Sequence, residues 1–437
     1  MNLAEVLLRR IKKNAARIFT EEQGEYITYA DLLEKIKVVS AKFRSLSSDN
    51  IVLRCEKGIN MAIAVLSGLY SDKKVIPINR NLNEEQVNSI AEQLYDYCYI
   101  ADEDIEQALN VTVEDIRLPV AMFVPIILFT SGTTGRFKGV RLTQNGLLFN
   151  IKRIAKVVRY NTKDRMLICR SLAHVAALVG DLLVGVFSGV SFVFYDGCFS
   201  PLEIRNEILK RKITLWNCTP TCMFSCAALR MDIQINKCVL SGEVLAESVY
   251  ARIRQSMPDT VFYAGYGMTE AGPRISMGKI PKKIRTGYAG KLLRGVKARI
   301  VDDEIQINSP AMAHGYIGEK NFWGLWFHTH DRGYITKKKI YVIGRTDNLI
   351  VRGGVNIDPS MIEDAIQSDL NIANCKVYAK SDVIMGQKIC AVVQPIREGI
   401  VTESYVLELC RKKLPKFMWC NEVEITEKIN IGVTGKK

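Results

Sequence analysis

Residues 129–139 read Phe129-Thr130-Ser131-Gly132-Thr133-Thr134-Gly135-Arg136-Phe137-Lys138-Gly139. The run that leads into them, Pro125-Ile126-Ile127-Leu128-Phe129, is apolar and has the length of a short buried strand. Beyond it the chain crowds hydroxyls and glycines together. Such a segment offers many hydrogen-bond donors in a small volume, and glycine lets backbone N–H groups approach a phosphate oxygen closely. Arg136 and Lys138 add positive charge. It is not a Walker loop, because no Gly-Lys-Ser/Thr follows at the spacing that loop requires. Taken alone, the stretch could also be a plain Gly/Thr surface turn.

Working outward, strand-like and helix-like segments alternate. Residues 84–97 read as an amphipathic helix, with a strand starting at Tyr99-Ile100. Residues 201–212 read as a helix and 213–216 as a strand that ends at Pro220. Val239-Leu240 and Val261-Phe262-Tyr263 are further short strands, each running into glycine. Strands whose ends open into glycine loops are where α/β sheets bind ligands. The character changes near Tyr341. A strand at 339–343 meets the turn Gly344-Arg345-Thr346-Asp347, followed by a glycine pair, a helix from Pro359, strands around Val377 and Ala391-Val392-Val393, and a basic helix ending at Pro415. The pattern predicts an α/β protein: a large N-terminal domain with mixed sheets and flanking helices over residues 1–343, and a small C-terminal α+β domain over residues 344–437.

The chain has 437 residues, 48% of them hydrophobic, enough for a sizeable core. Sixty Lys and Arg against 46 Asp and Glu leave a net charge of +14. A positive field favours acidic partners such as nucleotides, coenzyme A, an acidic carrier protein or nucleic acid. The basic residues are scattered in short clusters such as Lys282-Lys283, Lys337-Lys338-Lys339 and Arg411-Lys412-Lys413. They are not interleaved with aromatics, so nucleic acid is not an expected partner. No apolar run approaches the length of about eighteen residues that a spanning helix needs, so no membrane insertion is expected. The basic, amphipathic start reads as a surface helix and not as a signal peptide. With 12 cysteines and no CxxC pair, a reducing cytoplasm is the expected setting. Cys218, Cys222 and Cys226 have the spacing of one helix face; without a nearby histidine they read as buried structural thiols.

Ser131-Gly132-Thr133-Thr134-Gly135-x-x-Lys138-Gly139 resembles the phosphate loop of the adenylate-forming superfamily, which includes acyl- and aryl-CoA synthetases, adenylation domains and luciferase. Other segments resemble that family in the same order. Tyr26-Ile27-Thr28-Tyr29-Ala30-Asp31-Leu32 resembles its N-terminal motif, and Tyr266-Gly267-Met268-Thr269-Glu270 its Tyr-Gly-x-Thr-Glu signature. Glu304-Ile305-Gln306-Ile307 through His314-Gly315-Tyr316 resembles a strand pair ending in Gly-Tyr. Asp331 in Phe327-His328-Thr329-His330-Asp331 resembles its Thr-Gly-Asp, and Gly344-Arg345-Thr346-Asp347 its hinge. Gly353-Gly354-Val355-Asn356-Ile357-Asp358-Pro359 resembles the loop after the hinge, and Gly435-Lys436 the catalytic lysine motif. The resemblance covers nearly the whole chain.

It implies attack of a carboxylate on ATP to give acyl-AMP and pyrophosphate, then transfer of the acyl group to CoA or to the phosphopantetheine of an acidic acyl carrier protein. Such chemistry rests on positioning and charge stabilisation. By the resemblance, Thr130, Ser131, Gly132, Thr133, Thr134, Gly135 and Lys138 hold the β- and γ-phosphates. Thr269 contacts the α-phosphate and Glu270 holds Mg²⁺. Tyr266, beside Gly267, stacks on adenine, with Gly242 and Glu243 lining its other side. Asp331 accepts from the ribose hydroxyls, and Arg345 contacts ribose or phosphate. Lys436, on a mobile C-terminal domain, is the catalyst of the first step, with Lys437 as the alternative. After that step the small domain rotates about Asp347, and Arg352-Gly353-Gly354-Val355-Asn356 faces the thiol. His174 stands beside the acyl pocket with Val175, Leu178, Met268, Gly272 and Pro273. Ala176 lies where amino-acid-activating members carry an aspartate, so the substrate is expected to be an acyl or aryl acid. Arg274 is near enough to Glu270 to suggest a role with a second acidic group of the substrate, but it is expected to make a surface or structural ion pair. The chain departs from the family at Phe137 (usually proline), His330 (usually glycine) and Val355 (often glutamate), and is short before Pro125.

Overall fold

The computed structural model describes residues 2–111, 118, 126–131, 137–229, 233–319, 321–322, 324–346, 349–352, 355–382 and 385–429. Its centre is a set of parallel strands. Leu215–Cys218 pairs with Arg165–Ile168 on one side and Lys237–Ser241 on the other, and Val261–Tyr266 follows beyond. All four positions of Leu215–Cys218 are buried, as expected of a parallel strand covered on both faces. Beyond Val261–Tyr266 the same sheet turns antiparallel through Ser276–Lys279, Tyr288–Leu292, Lys339–Arg345, Phe327–Thr336 and Glu304–Asn308.

A second, smaller sheet carries the glycine-rich segment. Asn50–Leu53, Lys74–Pro77 and Ile126–Ser131 run parallel, and Phe137–Leu142 returns antiparallel so that Thr130 faces Lys138. Gly315–Tyr316 adds to this sheet by pairing with Arg141 and Val140. Glu304–Asn308 lies in the larger sheet, so the two segments expected to pair belong to different sheets. Phe137, at the position where proline was expected, packs against the apolar cluster of Val52, Ile76 and Ile127.

The helix expected over 84–97 ends at Ala91. Tyr95 takes a left-handed backbone and is fully exposed, so the continuation has no apolar face to bury. Cys218 sits in a strand, while Cys222 and Cys226 sit on the helix Pro220–Ala228, so the three do not share a helix face. All three are buried. The first helix, Leu3–Lys13, is capped by Asn2 and turns Leu3, Leu7 and Ile11 into the core.

A large N-terminal body is followed by a small C-terminal one. The small body has its own apolar cluster around Ile350, Ile357, Ile362, Ile366, Ile389, Val406 and Val423. It is built on the three-stranded sheet Ile372–Asp382, Gly386–Pro395 and Glu422–Ile425, with the helices Pro359–Gln367 and Glu403–Lys413. The strand Lys339–Arg345 remains hydrogen-bonded in the large sheet through Arg345. Among the described residues no helix is long and apolar enough to cross a membrane.

Candidate active site

One cavity of about 1550 Å³ opens beyond the C-terminal ends of the parallel strands, where both bodies border it. Thr130, Lys138, His174, Gly242, Glu243, Tyr266, Gly267, Thr269, Glu270, Asp331 and Arg345 all line it. Small-molecule pockets usually measure about 300–1,000 Å³, so there is space for more than one ligand. Of the loop, Thr130 ends one strand and Lys138 begins the next. Ser131 closes the first strand by its backbone, and Gly132, Thr133, Thr134 and Gly135 lie outside the described residues, as do Lys436, Lys437, Asp347, Gly353 and Gly354.

Glu270 is tied down from two directions. The backbone N–H of Ala313 donates to its carbonyl at 2.7 Å, and the Tyr316 hydroxyl donates to Oε1 at 2.7 Å. Burial, and then the charge of Glu270, push the Tyr316 hydroxyl well above the usual tyrosine range, so it stays a donor. The ammonium of Lys138 stands 5.0 Å from the centre of the same ring. Tyr316 thus joins the glycine-rich hairpin to Glu270. In the sequence Tyr316 reads only as the end of a strand pair, and its Gly-Tyr context gives no sign of Glu270 as its partner.

Asp331 forms the second cluster. Tyr266 donates to its Oδ2 at 2.6 Å, and Arg345, opposite it in the sheet register, approaches Oδ1 at 3.4 Å. Burial and then Asp331 drive the Tyr266 hydroxyl far upward, so this group also remains protonated. His330, just before, takes φ of +57°. Its N–H donates to Glu304 at 2.7 Å, which holds a side chain in a backbone region more natural to glycine.

Gly267 separates Tyr266 from Thr269. A Cβ there would stand 1.9 Å from the Pro273 carbonyl oxygen, so only glycine lets the two segments meet. Glu243 accepts from the Thr221 N–H and hydroxyl at the start of Pro220–Ala228, a favourable place for a carboxylate. His174 precedes the short helix Val175–Ala177 on the cavity wall.

The donor set suits a nucleotide: a cation and hydroxyl for phosphates at Lys138 and Thr130, and an acceptor and cation for a ribose end at Asp331 and Arg345. Among the described residues no group of three or more His, Cys, Asp or Glu could hold a metal. Magnesium does not need one, since it is commonly held by one or two carboxylates with substrate phosphates and water. Glu270 fits that demand. Arg274 differs from expectation: it is 3% exposed and makes no ion pair among the described residues.

Two regions of the chain match known family models. The AMP-binding enzyme model matches residues 124–319, and the AMP-binding enzyme C-terminal domain model matches residues 361–436. The chain belongs to the AMP-binding enzyme family. The first match contains the glycine-rich hairpin, the 266–270 segment and Tyr316; the second contains Lys436. This AMP-binding enzyme is 24% identical to the 2-succinylbenzoate–CoA ligase of Lactococcus lactis over an alignment of 449 positions, covering 97% of each chain. It is 26% identical to 4-coumarate-CoA ligase 2 of Narcissus pseudonarcissus, an alignment that covers 77% of this chain and 63% of that relative. Among solved structures, the anthranilate CoA ligase AuaEII in complex with anthranoyl-AMP superposes with a TM-score of 0.87 at 18% identity, covering 100% of this chain and 95% of that one. The O-succinylbenzoate coenzyme A synthetase of Bacillus subtilis in complex with AMP gives 0.84 at 21% identity, covering 99% and 96%. These superpositions establish a shared fold over the whole chain.

Proposed function

We propose that this AMP-binding enzyme is an ATP-dependent acid–thiol ligase. The single observation behind the proposal is that one cavity gathers Thr130, Lys138, Thr269, Glu270, Tyr266, Asp331 and Arg345, with His174 on its wall. The CoA-ligase names of the relatives agree.

In the first step a carboxylate oxygen attacks the α-phosphorus of ATP; the bond to the β-phosphate oxygen breaks, giving acyl-AMP and pyrophosphate. Lys138 and the loop from Thr130 to Gly135 grip the β- and γ-phosphates. Thr269 contacts the α-phosphate, and Tyr266 packs on adenine opposite Gly242 and Glu243. Asp331 accepts from the ribose, and its bond from Tyr266 fixes the carboxylate in place. Glu270 would hold magnesium, which when bound would supply charge neutralisation at the phosphates. Lys436 stabilises charge at the reacting centre. In the second step a thiol sulfur attacks the acyl carbonyl carbon and AMP leaves with the bonding pair. His174 borders the acid. The small unit, residues 344–437, turns about Gly344 to Asp347 between steps.

CoA is the acceptor supported by the relatives; a carrier-protein phosphopantetheine is the alternative, compatible with the net charge of +14. Twelve cysteines, none of them in a disulfide, suit a reducing cytoplasm. The test is pyrophosphate–ATP exchange across a broad acid panel, with CoA and carrier protein then compared as acceptors. Acid-dependent exchange is expected. Its absence with every acid, in protein that ATP stabilises thermally, contradicts the proposal.

A further inference from the structure

Behind Gly265 on the cavity wall lies a buried polar cluster. Arg170 follows the strand Arg165–Ile168, Asn217 is in Leu215–Cys218, and Ser241 ends Lys237–Ser241. Asp181 and Gly180 come from the π-helical segment Leu178–Leu183, a geometry often found at functional sites. Arg274 reaches in from beyond the 266–270 segment. Arg170 donates to Asp181 Oδ2 at 2.9 Å, and Asn217 donates to Oδ1 at 2.7 Å. One carboxylate is therefore already shared between a guanidinium and an amide. Among the described residues the Arg274 side chain donates to the Ser241 hydroxyl alone, at 3.0 Å, and its backbone N–H donates to Asn150.

The charges do not balance. Among the described residues, two guanidinium groups and one carboxylate share the site; the Arg170 and Asp181 side chains are 9% and 1% exposed, and Arg274 is 3% exposed. The Nε atoms of both arginines are buried without a hydrogen-bond partner among the described residues. An uncompensated buried cation is costly, and a buried orphan donor signals a missing acceptor. Burial, and then Arg170, push the Arg274 guanidinium down to about 10, against the attraction of Asp181.

Arg274 does not line the cavity itself; it packs against the back of Gly265, which does. Gly265 lines the cavity, and a Cβ at that position would stand 3.3 Å from Arg274 Nε. A Cβ at Gly180 would stand 3.4 Å from an Nη of the same guanidinium. Both flanks of the cation are thus left without side chains. His174, proposed to border the acid, lines the same cavity as Gly265.

We propose that Arg274, backed by Arg170, receives a second anionic group of the acid substrate, so that the enzyme activates a compact acid carrying a carboxylate at each end. The proposal rests on the acid–thiol ligase function and names the class of acid. One carboxylate faces the nucleotide and reacts; the other supplies the negative charge that the Arg170–Asp181–Arg274 cluster lacks.

The test compares acids in matched pairs in the pyrophosphate–ATP exchange assay: succinate with butanoate, glutarate with pentanoate, and benzene-1,3-dicarboxylate with benzoate. For at least one pair the wild-type enzyme should prefer the di-acid in kcat/KM by about tenfold or more, since a site built to pair a charge rejects the analogue without it. R274M should abolish or invert that preference, mainly through KM for the di-acid, and R274K should retain part of it. ATP-induced thermal stabilisation reports whether each variant is folded; if R274M is not, the wild-type pairs decide by themselves. Exchange with mono-acids as good as or better than with their di-acid partners overturns the proposal and leaves the ligase function standing. So does R274M with an unchanged ratio. Absence of exchange with every acid overturns both.

Discussion

Asp331, proposed to hold the ribose, is fixed by two neighbours at its carboxylate oxygens and by a third at its backbone. Tyr266 holds one oxygen, Arg345 approaches the other, and the Thr329 hydroxyl accepts from its N–H at 3.1 Å. Hydrogen bonds to a charged group contribute about 1.5–3 kcal/mol. Asp331→Ala should therefore lower kcat/KM for ATP by about 10–100-fold at saturating acid, each 1.4 kcal/mol being tenfold. Tyr266→Phe, which keeps the ring and loses only the hydroxyl, should cost less and raise KM for ATP more than it lowers kcat. These residues were legible in sequence because each sits in a contiguous string whose spacing carries its chemistry. Tyr316 was not, and Arg274 only in part: its nearness to Glu270 along the chain was visible, its burial was not. Their meaning depends on a partner far along the chain, Glu270 for one and the Asp181 region for the other, and burial cannot be read from the letter itself.

At the level of elements, the hairpin that pairs Thr130 with Lys138 is joined to Glu270 through a strand of only two residues, Gly315–Tyr316. So short a strand has no periodicity to reveal its sheet, which explains why sequence pairing it with Glu304–Asn308 failed. The parallel strands were legible, being apolar runs closed by glycine or proline. Cys218 was misplaced because a spacing of four fits a helix equally well whether or not the chain has begun one, and Pro220 starts this helix two residues later. Gly267 lets the 266–270 element pass against Pro273. Gly267→Ala forces backbone apart and should destabilise by about 1–3 kcal/mol, while abolishing most of the thermal stabilisation given by ATP. Calorimetry with and without ATP measures both. A variant that keeps full stabilisation would show that the strand end tolerates a side chain.

For the whole molecule, the two bodies meet through a small polar interface. Asp364 on the helix Pro359–Gln367 accepts from Ser248 and, at 2.9 Å, from Thr286. Half-buried Arg252 donates to the carbonyls of Asp369 at 3.1 Å and Ile372 at 3.2 Å, just past the end of that helix, and lies 4.5 Å over the Phe224 ring. Polar interfaces of this kind permit domain motion more readily than apolar ones. Arg252→Ala should loosen the docking by about 1.5–3 kcal/mol, seen as an earlier melting step and faster proteolysis between the bodies, with the core of each intact. Lys436→Ala should slow adenylate formation far more than acyl transfer from supplied acyl-AMP; equal loss in both half-reactions contradicts its proposed role. The central claim, that one cavity first makes an acyl-adenylate and then surrenders it to a thiol, is tested most directly by mass analysis of a single turnover. With ATP, Mg²⁺ and an accepted acid but no thiol, the account predicts acyl-AMP bound to the enzyme in amounts approaching one per chain, replaced by acyl-CoA and AMP when CoA is added. An acid-dependent product that appears without any acyl-AMP, or ADP and phosphate in its place, contradicts it.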